Sequence, residues 1–419
     1  MFYKETSFKE TPLGMIPKDW DIIKLGENLV EIETGKRAKG GALTEGTVAS
    51  IGGEHIDDQG NVLWSDMKFI PEDFYESLNQ GKVKLGDILL VKDGATTGKV
   101  ALVRKLNYEK VAVNEHVFLI RSKVDRLLTE FLYYFLFSKF GQIQIKTRFH
   151  GLIGGIIRED LEKVLIPHPP TKEEQEAIVG VLGVVDSAVG LVDRVILKTE
   201  RLKKGLMQTL LTRGIGHKEY KQTPIGTIPK EWQIASIGDV CEQRNEIVQP
   251  SMNNKELFVG LEHIASGETR LHNFAQSADV KSAKFRFYAG DILYGKLRPY
   301  LDKAVIADFN GICSTDLLVL TSKENLLKEF LIYVLHSDDF IKHAIATTTG
   351  TNHPRTSWSA ISKFRFGLPE RSEQQKIAET LSAVDVKLEI EKKEKARLER
   401  IKQGLMDLLL TGKIRVKVD

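Results

Sequence analysis

This chain contains its own second copy, and that duplication limits its fold more than any other feature. Thr11-Pro12-Leu13-Gly14-Met15-Ile16-Pro17-Lys18-Asp19-Trp20 returns as Thr223-Pro224-Ile225-Gly226-Thr227-Ile228-Pro229-Lys230-Glu231-Trp232. Glu54-His55-Ile56 returns as Glu262-His263-Ile264, and Gly86-Asp87-Ile88-Leu89 as Gly290-Asp291-Ile292-Leu293. Glu130-Phe131-Leu132 matches Glu329-Phe330-Leu331. Pro170, Glu174, Gln175, Ile178, Leu182 and Asp186 match Pro369, Glu373, Gln374, Ile377, Leu381 and Asp385. Gly205-Leu206-Met207 matches Gly404-Leu405-Met406. The offset shrinks from 212 to 199 residues and then holds, so insertions and deletions fall before the last blocks. Two copies are too few for a solenoid, and the chain reads as a duplicated pair of halves.

Each half has a globular stretch followed by a long helix. Gly86-Asp87 ahead of Ile88-Leu89-Leu90-Val91 reads as a turn into a buried strand, as do Gly290-Asp291 and the apolar run after them. Val100–Val103 and Val117–Ile120 are further strands, and Glu130–Phe140 and Glu329–Phe340 are short amphipathic helices. The fold class is therefore α+β. From Thr171 to Thr212 the apolar residues Ile178, Leu182, Val185, Val189, Val192 and Ile196 step by four and three, which is a heptad seam. Thr171-Lys172-Glu173-Glu174 reads as a capping box, and Gly214 as a stop. Ile377, Leu381, Val384 and Leu388 open the second seam. Forty-two residues at ~1.5 Å each give a rod of roughly 63 Å. Such a rod is not stable alone, but two in one chain can pack on each other. The expected boundaries are 1–169 and 214–368 for the globular domains, 170–213 for the first helix, and 369–419 for the second helix with its tail.

Composition excludes several classes. The 419 residues carry only Cys241 and Cys313, too few for a disulfide framework or a four-cysteine zinc site. No apolar run approaches the ~18 residues that would span a bilayer. Met1–Glu10 is polar, with no charged-then-apolar leader. A cytoplasmic protein with no membrane contact is expected. The net charge of +3 is too small for a strongly non-specific nucleic-acid binder, so any DNA-binding cations must be gathered on one face, or a partner must supply more.

Cofactor motifs are missing. Gly94-Ala95-Thr96-Thr97-Gly98-Lys99-Val100 has three residues between its glycines instead of four, and Val after the Lys, so it is no phosphate-binding loop. Gly151-Leu152-Ile153-Gly154-Gly155 lacks the apolar-periodic helix that continues a dinucleotide site. His55 and His263 have no second ligand at metal spacing and are read as fixing a turn. The two cysteines do not occupy matching repeat positions. No amino-methyltransferase tetrapeptide of the Asn-Pro-Pro-aromatic kind occurs.

The ordered, duplicated set of motifs resembles the specificity subunit of type I restriction–modification systems. The resemblance rests on Ile16–Trp20 and Ile228–Trp232, on Pro170–Gln175 and Pro369–Gln374, and on Gly205–Thr212 and Gly404–Gly412. It implies two similar target-recognition domains separated by two long antiparallel coiled-coil helices, with an internal pseudo-two-fold. Each domain would read one half of a bipartite double-stranded DNA target, and the helices would set the spacer. Two modification (methyltransferase) subunits would dock on the scaffold, and restriction (helicase-nuclease) subunits would join. The chain would be non-catalytic and hold no cofactor, with S-adenosylmethionine, ATP and Mg²⁺ used by the partners. A self-contained enzyme with duplicated domains and a coiled-coil assembly protein are the competing readings.

DNA contacts call for long polar side chains in loops. Lys36 and Arg37 lie in a Gly-bounded basic loop suited to phosphates. Lys92, Thr96, Thr97 and Lys99 come after the Gly-Asp strand, and their region corresponds to Lys296, Arg298 and Tyr300. Arg148 and His150 precede the Gly-rich run. Its counterpart is the polar run that holds Thr349, Asn352, His353 and Arg355, where Arg can fork onto guanine and Asn onto adenine.

Overall fold

The computed structural model describes residues 2–26, 30–123, 126–151, 154–250, 256–276 and 282–417; Leu152 and Ile153 of the Gly-rich run lie outside them. The chain forms two units, Met1–Leu191 with Lys395–Asp419, and Val192–Glu394. The long helices are Lys172–Arg213 and Arg371–Leu409, so each begins in one unit and ends in the other.

In the first unit the start of one long helix meets the end of the other. Ile178 and Leu182 share a buried cluster with Met406, Leu409 and Leu410, and Trp20 sits fully enclosed among them. In the second unit Leu210 packs with Ile377, Leu381 and Trp232. The helix pairing within each unit is thus antiparallel. Both helices end near a left-handed glycine, Gly214 (φ +64°) and Gly412 (φ +68°). A Cβ there would come within 2.7 Å of the Trp232 ring and within 2.3 Å of Pro17 Cγ, respectively. The Ile-Pro-x-x-Trp motifs are repeated because they close over these helix ends.

The helix starts hold the neighbouring chain. Gln175 accepts from Leu128 N (2.9 Å) and donates to Arg126 O (3.0 Å). Gln374 repeats this with Leu327 N (2.8 Å) and Asn325 O (2.9 Å). Both glutamines are buried, and each satisfies the backbone just ahead of a short helix. The capping box is only half realised. Glu174 N donates to Thr171 Oγ1 (3.2 Å), but the Glu174 carboxylate takes two hydrogen bonds from Arg415, both 2.7 Å. Its counterpart Glu373 accepts from Ile215 N (2.8 Å), His217 Nε2 (2.8 Å) and Trp232 Nε1 (2.9 Å). In each unit the motif's glutamate therefore captures the segment leaving the other long helix.

The sheets correspond as well. The first unit has a four-stranded antiparallel sheet in the order Val30–Thr34, Val117–Ser122, Ile88–Val91, Val100–Leu102. The second has Cys241–Arg244, Leu317–Ser322, Ile292–Gly295, Ala304–Ile306. Ile88 and Leu90 point to the cluster with the long helices, and Leu89 and Val91 to a second cluster with Ile51, Val111 and Val113. Successive side chains on a strand face opposite ways. Both faces are covered here, which is why these strands read as unbroken apolar runs. The second cluster is roofed by a smaller sheet in which Lys110–Val113 runs parallel to Val48–Ile51. Gly311–Cys313 and Leu257–Val259 repeat that parallel pair inside a five-stranded sheet.

The single short helix expected at 130–140 is two, Thr129–Phe137 and Lys139–Lys146, and its counterpart is Lys328–Leu335 and Asp338–Ala346. Ser138 and Ser337 divide them. Each serine leaves helical geometry, and its hydroxyl accepts from an amide in the next helix, Gly141 N or Phe340 N, both 3.3 Å. Such N-cap serines satisfy amides that a helix start otherwise leaves unpaired.

Candidate nucleic-acid interface

Several repeated blocks serve the backbone. In the Glu-His-Ile blocks, His55 Nδ1 accepts from Gly52 N and His263 Nδ1 from Gly260 N, both at 2.9 Å. Each histidine closes a short 3-10 turn. Asp87 accepts from Lys84 N (2.6 Å) and from Arg121 Nε (2.7 Å), and Asp291 from Tyr288 N (2.8 Å) and Arg244 Nε (2.9 Å). Burial pushes the Asp87 carboxyl up, against the pull of Arg121. Burial also pushes the thiols of Cys241 and Cys313 to about 12, so neither offers a thiolate at neutral pH. Among the described residues no group of three or more His, Cys, Asp or Glu could hold a metal ion. No helix there is long and apolar enough to cross a membrane.

In the second unit three segments converge. Lys296 N donates to Asp316 O (3.0 Å), Thr356 N to Lys296 O (3.0 Å), and Arg298 N to Pro354 O (2.8 Å). Thr349 and Arg355 exchange two backbone bonds, 2.9 and 3.0 Å. Arg298, Tyr300, Thr349, Asn352, His353 and Arg355 are exposed, and Lys296 is half-buried. Arg355 Nε donates to Asp316 Oδ1 at 3.0 Å. The structure thus draws 296–300 and 349–355 into one polar surface, and adds Asp316.

The first unit builds the same lattice. Lys92 N donates to His116 O (2.9 Å), Ile156 N to Lys92 O (2.7 Å), and His150 and Gly155 exchange bonds of 2.7 and 2.9 Å. Lys92 therefore stands where Lys296 does, His116 where Asp316 does, and Gly155 where Arg355 does. His116 Nδ1 pairs with Asp93, and Arg37 Nε lies 3.8 Å from Glu115, which brings the 36–37 loop to this edge. Lys36 is exposed beside it.

The other first-unit candidates have partners of their own. Lys92 Nζ lies 5.7 Å from the Phe118 ring centroid. Thr97 Oγ1 donates to Gly94 O (2.7 Å), and Thr96 is half-buried in the same turn. Lys99 pairs with Asp58 (2.8 Å), and the exposed His150 with Asp160. Arg148 Nη1 donates to Gln144 O (2.7 Å), one of the last carbonyls of its helix. Sequence patterns do not single out Asp93, His116 or Asp316. A signal for two of them is nonetheless present: His116 and Asp316 each immediately precede the aligned strands Val117–Ser122 and Leu317–Ser322.

The family model described as "Type I restriction modification DNA specificity domain" matches residues 17–199 and again 229–400. The chain belongs to this family of type I restriction–modification specificity subunits. The two matches cover both halves, each with most of its long helix. This specificity subunit is 28% identical to the type I restriction enzyme MjaVIII specificity subunit of Methanocaldococcus jannaschii, over 99% of this chain and 98% of the relative. Its fold is similar to that of the type I restriction–modification S subunit from M. genitalium (TM-score 0.57, 16% identity, 96% of this chain and 97% of that one). It is also similar to a chain from a study of complex assembly and conformational transition of the type I R-M system (TM-score 0.54, 19% identity, 95% and 99% covered). A specificity subunit is the non-catalytic component of its complex.

Proposed function

We propose that each globular part of this specificity subunit reads one half of a bipartite duplex DNA target. The long helices fix the unspecified spacer and carry two modification subunits, to which restriction subunits add. S-adenosylmethionine, ATP and Mg²⁺ belong to those partners. The observation that carries this reading is the shared loop lattice. Residues 92, 116, 150, 155 and 156 in one unit, and 296, 316, 349, 355 and 356 in the other, use the same backbone bonds to present different side chains. A constant frame with variable polar tips suits two readers of unlike sequences. Phosphate contacts from Lys36, Arg37, Lys92 and Lys99 would set position, and base-edge contacts would set sequence.

Exchange of residues 222–366 for the equivalent part of a relative tests it. Single-molecule mapping of methylated DNA should show one half of the target changed and the other kept. Changes in both halves would refute independent readers.

A further inference from the structure

We propose that Arg355, braced by Asp316, reads a guanine in the half-site of the second unit. This rests on the DNA-reading function above and gives it a base and a residue. Arg355 is anchored at both ends. Its backbone exchanges two bonds with Thr349 and bridges to Leu297, and its Nε donates to Asp316 Oδ1 at 3.0 Å. Asp316 is fixed in turn, because its amide donates to Ser314 Oγ (3.2 Å) and its carbonyl accepts from Lys296 N (3.0 Å). With Nε engaged on Asp316, the Nη1 and Nη2 donors remain for a ligand, and 44% of the side chain is exposed.

Chemistry selects the ligand. Guanine offers two acceptors, N7 and O6, side by side in the major groove, matching two parallel guanidinium donors. Adenine places an amino donor there, thymine a single acceptor, and cytosine a donor. A phosphate would also take the fork, but the Asp316 carboxylate neutralises the pair and repels an anion. The brace therefore favours a neutral acceptor pair over the backbone. It also removes rotamer freedom before binding, which lowers the cost of ordering a long side chain.

The surrounding backbone is built to a fixed shape. Arg298 (φ +52°) and Asp302 (φ +50°) flank the turn Pro299–Leu301, and only Asp66 shares this geometry among the described non-glycine residues. Such conformations persist only when the surroundings impose them, and they gather at functional sites. Arg298 N is bonded to Pro354 O, which ties this turn to the residue before Arg355. The first unit has Gly155 at the equivalent place, so no side chain reads a base from that point there.

The test uses the full complex with its modification subunits and duplexes in which each base pair of the mapped target is varied. One guanine in the second half-site should be required, and 7-deazaguanine at that position should weaken wild-type binding roughly 5- to 150-fold. This arm involves no mutant protein and cannot be confused with misfolding. Arg355→Ala should lose a similar factor on the true target and become indifferent at that one position, while Arg355→Lys, whose ammonium can still donate to O6 and N7, should retain part of the guanine preference. Asp316→Asn should keep target binding but raise affinity for unrelated DNA, narrowing the ratio at that position. Uniform loss on all sequences with Arg355→Ala, or an unchanged 7-deazaguanine response, would overturn the assignment while leaving the DNA-reading function standing. Wild-type binding without sequence preference would overturn both.

Discussion

Lys402 Nζ lies 2.6 Å from Asp186 Oδ1, and 199 residues earlier Lys203 Nζ lies 2.6 Å from Asp385 Oδ1. Each pair joins the two long helices within its own unit. The aspartates take a second repeated bond, from Tyr134 Oη (2.9 Å) and Tyr333 Oη (2.8 Å), which seats a globular part on the helices. The third partner differs: Arg104 Nη2 at 2.7 Å in one unit, Thr269 Oγ1 at 3.2 Å in the other. Helix, helix and recognition domain thus meet at a single carboxylate in each unit.

Asp186→Ala should therefore cost about 3–5 kcal/mol of stability in the first unit. It leaves the largely buried Lys402 ammonium without its counter-charge, and removing one partner of such a pair is strongly destabilising. Tyr134→Phe, which removes one hydrogen bond, should cost about 1 kcal/mol. Replacing Lys402 as well, as Asp186→Leu with Lys402→Met, should recover part of the loss, because Arg104 and Tyr134 still lose their acceptor. Denaturant unfolding checks all three, and a double replacement as damaging as Asp186→Ala would contradict the ion-pair account.

The segment after the first helix carries a pH-dependent latch. Burial alone would lower the His217 pKa, but the hydrogen bond and charge of Glu373 and the charge of Glu231 outweigh it and raise the value above the usual 6.5. A histidine whose folded pKa is raised stabilises the fold fully below its unfolded value, and that stabilisation disappears as pH rises through the folded pKa. Stability of the second unit should accordingly decline from about pH 6.5 upward, and His217→Gln should flatten this dependence. Unfolding curves between pH 5.5 and 8.5 measure it. A wild-type curve parallel to that of His217→Gln would disprove the latch.

The helices, the sheet strands and the Glu-Gln helix starts are legible in the sequence because they come from period, capping and repetition. Charge partners across strands are not. Asp87 is paired by Arg121 of its neighbouring strand, whereas Asp291 is paired by Arg244, one strand further out, and Thr321 stands in the place of Arg121. The pairing survived while its residues moved, and alignment of the halves hides such an exchange. The loop candidates are legible only as polar runs. That 296–300 and 349–355 share a surface depends on backbone bonds between segments about fifty residues apart, which no local pattern encodes. Arg148 is a DNA-contact candidate in the sequence, and its guanidinium also donates to the Gln144 and Lys163 carbonyls, which no local pattern announces.

Two classes of cation should therefore separate in binding experiments. Arg37→Ala, at an exposed loop, should weaken binding to all duplexes alike and reduce the slope of log affinity against log salt by about 0.9. Arg148→Ala should instead lower stability by about 1 kcal/mol through its lost backbone bonds, with the salt slope kept. Titrations at several salt concentrations, paired with unfolding curves, distinguish them. A normal slope for Arg37→Ala would remove that loop from the interface.

The spacer should depend on both long helices at once. The units divide at Leu191/Val192 in one helix and at Glu394/Lys395 in the other. An insertion at either place alone would throw one helix out of register with the other, since Lys203–Asp385 and Lys402–Asp186 fix the pairing within each unit. Four residues inserted after Leu191 and four after Glu394 leave every contact within each unit in place. They lengthen each helix by ~6 Å and turn it by a little more than one turn at 3.6 residues per turn. Base pairs lie ~3.4 Å apart along each strand. The unspecified spacer should therefore grow by one to two base pairs, with both half-sites unchanged. Two residues inserted at both places would instead rotate the downstream part of each helix by about 200°, and methylation should cease. Methylation mapping in cells lacking the wild-type gene reads each outcome. An active four-residue variant with the original spacer would show that the helices do not set the distance.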